Sequence, residues 1–440
     1  ISSVISGAGG ITKEGSGTLT LNAANTYAGA TTISVGVINV QSNAALGDAT
    51  NALYNTIISS GAALQIQGSG LVIAEPITVS GTGINSDGAI RNMSTSTGTN
   101  TLSGIITLAA NTEINSDANI LAISGAIGLS TYNIVLGGAG NISSSGVISG
   151  SGAITKVDAG MLTFSGANTY TGVTTVNANS GILKINGNAA ALGAVSGATI
   201  INTGSALQVE GGIVFAAEPI TVYGTGINND GVIRNITGNN TLAGLVTAAT
   251  NVEISADQGV LTIGTSATTE TLSTSSNQIL FSGNSSINVK GKISGSGSII
   301  KEGIGTTALA GDNLLYTGTI IANPGGGIIS AEHANALGAI TAGTTIYNGA
   351  TLQLSGNITT LQEPVNIRGL GYTTMGSAFF SAGNNTFAGT ITLDSISSIG
   401  SANTGLLILN NSSAAIATNS NAFRVTDLGT TTISGIITGS

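Results

Sequence analysis

The chain has 440 residues, 66 of them glycine, with no cysteine or tryptophan, 7% charged and 3% aromatic residues, and a formal charge of −9. Without cysteine there is no disulfide framework and no Cys-ligated zinc site, and ten basic residues that never cluster give no electrostatic footprint for nucleic acid. Abundant Ile, Val and Thr within a 41% hydrophobic composition also exclude a disordered chain.

In chain order, the first element is the stretch from Val4 to Thr32, VISGAGGITKEGSGTLTLNAANTYAGATT, which returns from Val147 (VISGSGAITKVDAGMLTFSGANTYTGVTT) and from Lys292 (KISGSGSIIKEGIGTTALAGDNLLYTGTI). A fourth copy opens at Ile436, so the starts are 143, 145 and 144 residues apart. Smaller words keep the same phase. Glu-Pro falls at Glu75-Pro76, Glu218-Pro219 and Glu363-Pro364, and Ala-Leu-Gly at 45–47, 191–193 and 336–338. Repetition at a fixed period indicates an array or solenoid. The expected organisation is the end of a preceding repeat at 1–3, repeats at 4–146, 147–291 and 292–435, and the start of a fourth at 436–440. Beginning at Ile1 without Met or a signal sequence, the chain reads as a portion excised from a longer protein.

Within each repeat the hydrophobic pattern has a period of two. Thr18-Leu19-Thr20-Leu21, Ala63-Leu64-Gln65-Ile66 and Ile182-Leu183-Lys184-Ile185 alternate an inward aliphatic with an outward polar side chain, the pattern of half-buried strands. Glycine-rich words such as Gly7-Ala8-Gly9-Gly10 and Gly81-Thr82-Gly83 punctuate them as turns. The helix-like words, Ser42 to Leu46 and Ala331 to Leu337, are no longer than about two turns. No apolar run reaches the roughly 18 residues of a membrane span.

Short strands, scarce aromatics, recurring Asn-Thr and Asn-Asn words and repeats without linkers predict an all-β fold, a right-handed parallel β-helix (β-solenoid) of three in-phase repeats of about 144 residues. At roughly 20 to 25 residues per coil, a repeat holds about six coils and rises about 29 Å, so three span about 90 Å. Coil ends expose unpaired backbone groups that must be capped or continued.

Candidate chemistry is sparse. His333 is the single histidine and has no triad or metal spacing around it, so it reads as a loop residue. Asp87 and Asp230 lie in matched words, Gly-Ile-Asn-Ser-Asp-Gly and Gly-Ile-Asn-Asn-Asp-Gly, with too few carboxylates for calcium, and read as turns closed by an Asx hydrogen bond. Glu75, Glu218 and Glu363 precede proline and sit a whole repeat apart, too far for paired acid and base catalysis, and read as structural markers. The same reading holds for Arg91 and Arg234, and for Lys13, Lys156 and Lys301, the lysines pairing locally with Glu14 or Glu302. Glycine-rich words without a following Lys-Ser or Lys-Thr form no phosphate loop. No catalytic, cofactor-binding or metal-binding residue is expected, and no cofactor.

The words Gly15-Ser16-Gly17-Thr18-Leu19-Thr20-Leu21 and Asn25-Thr26-Tyr27-Ala28-Gly29-Ala30-Thr31-Thr32-Ile33 resemble the autotransporter-associated β-strand repeat of Gram-negative passenger domains. The second copy, from Gly160 to Phe164 and from Asn168 to Val176, follows the pattern closely. The third departs, reading Asp312-Asn313-Leu314-Leu315-Tyr316-Thr317-Gly318. This resemblance implies a β-helical passenger carried across the outer membrane by a C-terminal barrel and displayed at the cell surface, with the repeat serving transport and folding. It points to a non-enzymatic structural or adhesive segment forming a stiff stalk or filament, whose partners are adjacent repeats of the same or neighbouring chains and glycans or proteins of a host or neighbouring cell. The alternatives are a carbohydrate-active β-helix enzyme and a passive spacer displaying a functional domain elsewhere.

Overall fold

The computed structural model describes residues 1–49, 55–93, 97–360, 362–373, 375–426 and 428–439; Ser440, within the expected start of a fourth repeat, lies outside them. The alternating words form short β-strands, and strand after strand pairs in parallel with the one a coil later. The chain divides into two compact units, Ile1–Gln208 and Val209–Ser440, a division that runs through the second expected repeat rather than along its edge.

In the first unit one face of the solenoid steps from Ile11 to Thr31, Thr56, Ile77, Ile106, Ile127 and Ile148, each level with the next, at offsets of 20, 25, 21, 29, 21 and 21 residues. In the second unit the matching steps are Ile299, Ile320, Thr344, Val365, Ile391, Ile416 and Ile437. A 29-residue coil exceeds the expected 20 to 25 because residues 82–88 are extruded as a lobe. Within the lobe Ile84–Ser86 form a 3-10 turn with Asn85 and Ser86 at φ 56° and 60°, and Gly83 bridges back to Gly88. Neither helix-like word becomes a helix. Both end in hydrogen-bonded turns, with the Ala45 N–H on the Ser42 carbonyl and the Ala336 N–H on the His333 carbonyl.

Level positions on successive coils put like side chains on top of one another, and these stacks form the core. Ile33, Ile58, Val79 and Leu108 make one buried stack, and Leu19, Ile38, Leu64, Ile90, Ile114 and Leu136 run through another. Burying each such aliphatic side chain contributes about 1.5–3 kcal/mol relative to leaving it in water. In the second unit the filling includes an edge-to-face pair, Phe379 and Phe387, with ring centroids 4.9 Å apart.

Corners are tighter than the strands. A Cβ placed on Gly104, Gly125, Gly146 or Gly166 would lie 2.1, 1.9, 2.0 and 2.4 Å from the carbonyl oxygens of Glu75, Gly104, Gly125 and Gly146 respectively. The second unit repeats the arrangement, with Gly244 against the Glu218 carbonyl and Gly389 against that of Glu363. The in-phase Glu-Pro words thus mark a corner that the next coil can approach only with glycine.

Candidate functional site

Among the described residues, what recurs is a set of buried polar groups threaded between coils. The first is asparagine. Asn25 Oδ1 accepts the Ile5 N–H at 2.9 Å while its Nδ2 donates to the Ala45 carbonyl at 2.7 Å, so one side chain ties the coil below to the coil above. Asn168 does the same between Ile148 and Ala191, at 2.9 and 2.6 Å, and Asn313 between Ile293 and Ala336, at 2.8 and 2.7 Å. All three are buried, where an unpaired amide is costly.

Beside each asparagine stands a buried tyrosine. The Tyr27 hydroxyl meets Thr31 Oγ1 at 2.6 Å and that of Tyr170 meets Thr174 at the same distance. In the third copy an extra residue separates Asn313 from Tyr316, and Ile320 occupies the place of the threonine. Tyr316 therefore donates to the Thr319 carbonyl at 2.7 Å and accepts the Ile299 N–H at 3.1 Å. Burial raises the Tyr316 phenol far above its ordinary value and lifts that of Tyr27 to about 12, the Thr31 hydrogen bond opposing the shift and the Glu75 carboxylate adding to it.

Lys13, Lys156 and Lys301 occupy inward positions of the core stacks, Lys13 level with Ile33 and Lys301 with Phe281 and Ala322. The expected pairing with Glu14 and Glu302 is not what holds them. Lys13 Nζ donates to the carbonyls of Glu14 and Gly15 at 3.0 and 2.5 Å, and Lys301 Nζ to those of Glu302 and Gly303 at 2.5 and 2.7 Å, while the Glu302 carboxylate receives Asn323. An inward lysine reaches the turn beyond its own strand sooner than it reaches a carboxylate in solvent. Burial lowers Lys156 and Lys301 to about 8, with Asp158 and Glu302 respectively pulling the other way. Between about 8 and 10.5 the native state therefore holds fewer protons than the unfolded chain, and these two groups favour folding more as pH rises through that window. Amine acetylation of the native protein, mapped by mass spectrometry, is expected to modify exposed Lys290 at least about tenfold faster than Lys156 and Lys301; equal rates would place those two amines at the surface.

The proline-linked glutamates are buried as well: Glu75, Glu218 and Glu363 are 4%, 5% and 2% exposed. Glu363 Oε1 accepts the Thr344 hydroxyl at 2.9 Å, whereas Oε2 of Glu75 and Oε2 of Glu363 are enclosed without a hydrogen-bond partner. Burial pushes Glu75 up to about 7, assisted by Asp48, and Glu363 up to about 8 against the Thr344 hydrogen bond. A cavity of about 410 Å³ in the first unit is lined by Asn25, Asn43, Leu46, Asp48, Val72 and Glu75 among others.

The lobes hold charge rather than the expected Asx bond. Arg91 Nη1 donates to Asp87 Oδ2 at 3.1 Å and its Nε to Asp117 Oδ2 at 2.5 Å, and Arg234 repeats this with Asp230 and Asp257 at 3.3 and 2.8 Å. An arginine four residues on from the lobe aspartate outcompetes the local backbone for the carboxylate. Arg368, out of phase in sequence, pairs with Asp394 at 3.1 Å over the Tyr347 ring. His333 Nδ1 accepts the Asn335 N–H at 3.1 Å within its turn. Among the described residues no group of three or more His, Cys, Asp or Glu side chains is placed to hold a metal ion, and no helix is long and apolar enough to cross a membrane.

The bridging role of Asn25, Asn168 and Asn313 was not apparent from sequence, although the signal was there: the three asparagines are 143 and 145 residues apart, in step with the repeat starts. The ion pair of Arg368 had no such signal.

The passenger-associated-transport-repeat family model matches residues 11–40, 154–185 and 299–326. These segments hold the buried lysine, asparagine and tyrosine of each copy. The chain is also similar to the adhesin BmaC autotransporter of Brucella suis biovar 1 (strain 1330), at 30% identity over 236 residues, covering 39% of this chain and 7% of that protein. The chain thus spans less than a tenth of the curated relative it matches. No solved structure matches it. Three segments that match this transport-repeat model are thus set on a parallel β-solenoid, each at the start of one of the in-phase repeats.

Proposed function

We propose that the chain is a non-enzymatic structural and adhesive segment of a long protein exported across the outer membrane of a Gram-negative bacterium and displayed on its surface. The observation that carries this reading is that what recurs between copies is structural: the asparagine bridge and the glycine corner each join one coil to the next, and the buried lysine ties its strand to the turn that follows it. Such a unit adds length without adding chemistry. Outward positions offer rows of small polar groups, Thr12, Thr32, Thr78 and Thr107 around Ile57 in the first unit and Thr221, Thr247, Ser273 and Ser294 in the second. These suit many weak hydrogen bonds to glycans or proteins of another cell, or to neighbouring chains. The name of the Brucella relative, an adhesin, supports the same direction.

The repeats 4–146, 147–291 and 292–435 are the proposed units of this design. Removing residues 147–291 from the full-length protein in its own cells is expected to leave surface display intact and to reduce cell adhesion in proportion to the length lost, read by surface labelling and an adhesion count. Unchanged adhesion would make the segment a spacer.

A second reading rests on the cavity of the first unit, where Asp48 and Glu75 share one wall set and burial keeps Glu75 substantially protonated near neutral pH. An acid beside a carboxylate is the apparatus of glycoside hydrolysis. Polysaccharide turnover that is abolished by both Asp48→Asn and Glu75→Gln would favour an enzyme over an adhesin.

A further inference from the structure

We propose that Glu75 and Glu363, at two of the Glu-Pro corners, make this solenoid a pH-responsive fold, closed in acid and opening locally at those two corners as its surroundings turn alkaline. Burial and a glycine contact recur at all three Glu-Pro words, and the two that carry the proposal add an enclosed carboxylate oxygen without a donor. Each carboxyl group belongs to a buried residue, and the backbone carbonyl of that residue is pressed against a glycine of the following coil, Gly104, Gly244 or Gly389. A carboxylate there loses its water. Glu75 faces the Asp48 carboxylate and the Tyr27 phenol, and Glu363 faces Tyr316 and the Thr344 hydroxyl, so the titratable neighbours are acidic and supply no positive charge. Oε2 of Glu75 and Oε2 of Glu363 lack any donor, which a neutral carboxyl tolerates far better than an ionised one.

The direction of the response follows from proton counting. The native corner keeps a proton up to about pH 7 at Glu75 and about 8 at Glu363, whereas the opened corner releases it near 4.5. Opening therefore costs most below 4.5 and becomes easier as pH climbs toward the native value, by up to tenfold per unit; beyond that value it changes no further. From pH 5.5 to 8.5 the opening equilibrium rises on the order of 30-fold at Glu75 and 200-fold at Glu363. A surface protein built this way is firmest in an acidic niche.

Hydrogen exchange of the full chain at pH 5.5 and 8.5, corrected for the intrinsic pH dependence of exchange, tests this. Amides of Ile77–Gly81 and Ile106–Leu108, and of Val365–Gly369 and Ile391–Leu393, are expected to lose protection by at least about tenfold at the higher pH. In Glu75→Gln and Glu363→Gln that loss should vanish at the substituted corner and persist at the other. Asp48→Asn, which removes the like charge facing Glu75, should shift the first corner's transition toward acid-independent behaviour and leave the second untouched. Glu14→Gln, in an exposed turn, should change nothing. Equal corrected protection at the two pH values, or the same loss in the Gln variants, would overturn the proposal.

Discussion

Replacing Gly125 by alanine is expected to destabilise the first unit by more than about 4 kcal/mol, at the extreme of what single substitutions do. Its φ is not in the left-handed region; the constraint is space. The new Cβ would sit 1.9 Å from the Gly104 carbonyl oxygen and 2.6 Å from its carbon, atoms of a backbone held by parallel ladders on both sides. No flexible side chain can yield. One coil further on, Gly146 stands in the same relation to the Gly125 carbonyl, so a shift to relieve the clash below creates one above. Gly17→Ala, with nothing within 4 Å of the added atom, should cost no more than about 0.5 kcal/mol. Urea unfolding midpoints of the two variants decide the matter. If Gly125→Ala matches Gly17→Ala, the coils do not approach as closely as described.

The second large effect belongs to Asn168, which is 3% exposed. Asn168→Ala removes both of its bonds at once and leaves the Ile148 N–H and the Ala191 carbonyl without the partners they have now. Each stranded buried group costs about 1–3 kcal/mol, so the variant should lose about 2–4 kcal/mol. Asn168→Asp is the sharper probe, because it keeps the acceptor for Ile148 but faces the Ala191 carbonyl with an oxygen where a donor stood. It should be no better than alanine at neutral pH. Asn133→Ala makes the comparison, since Asn133 takes the Ala153 N–H at 2.9 Å from an exposed corner where water can substitute. A cost below about 1 kcal/mol is expected there. Equal losses at the two asparagines, by chemical denaturation, would remove the case for a bridge between coils.

Much of this fold was legible in the chain itself. Alternation in Ala63-Leu64-Gln65-Ile66 announces a strand with Leu64 and Ile66 on the inward face and Gln65 on the outward one, and the repeat spacing with scarce aromatics announces stacking rather than a sandwich. The buried lysines were legible too, though unread: in Ile11-Thr12-Lys13 a period of two that sends Thr12 outward sends Lys13 inward. The Glu-Pro corners were recognisable as structural from their phase alone. Their burial was not, because it depends on which residue of the following coil lies opposite, and the 29-residue step from Ile77 to Ile106 hides that from any local pattern. The arginine lobes failed for a similar reason. Asp117 meets Arg91 from 26 residues away, a distance set by coil length rather than by any motif.

The measurement that bears most directly on the account is an experimental structure of this chain. It should show parallel strands spaced about 4.8 Å apart with Ile154 level with Thr174 and Thr174 with Thr199, and Asn168 joining Ile148 to Ala191. Antiparallel pairing of these strands, or an Asn168 side chain turned to solvent, would contradict a solenoid held together by repeated polar bridges.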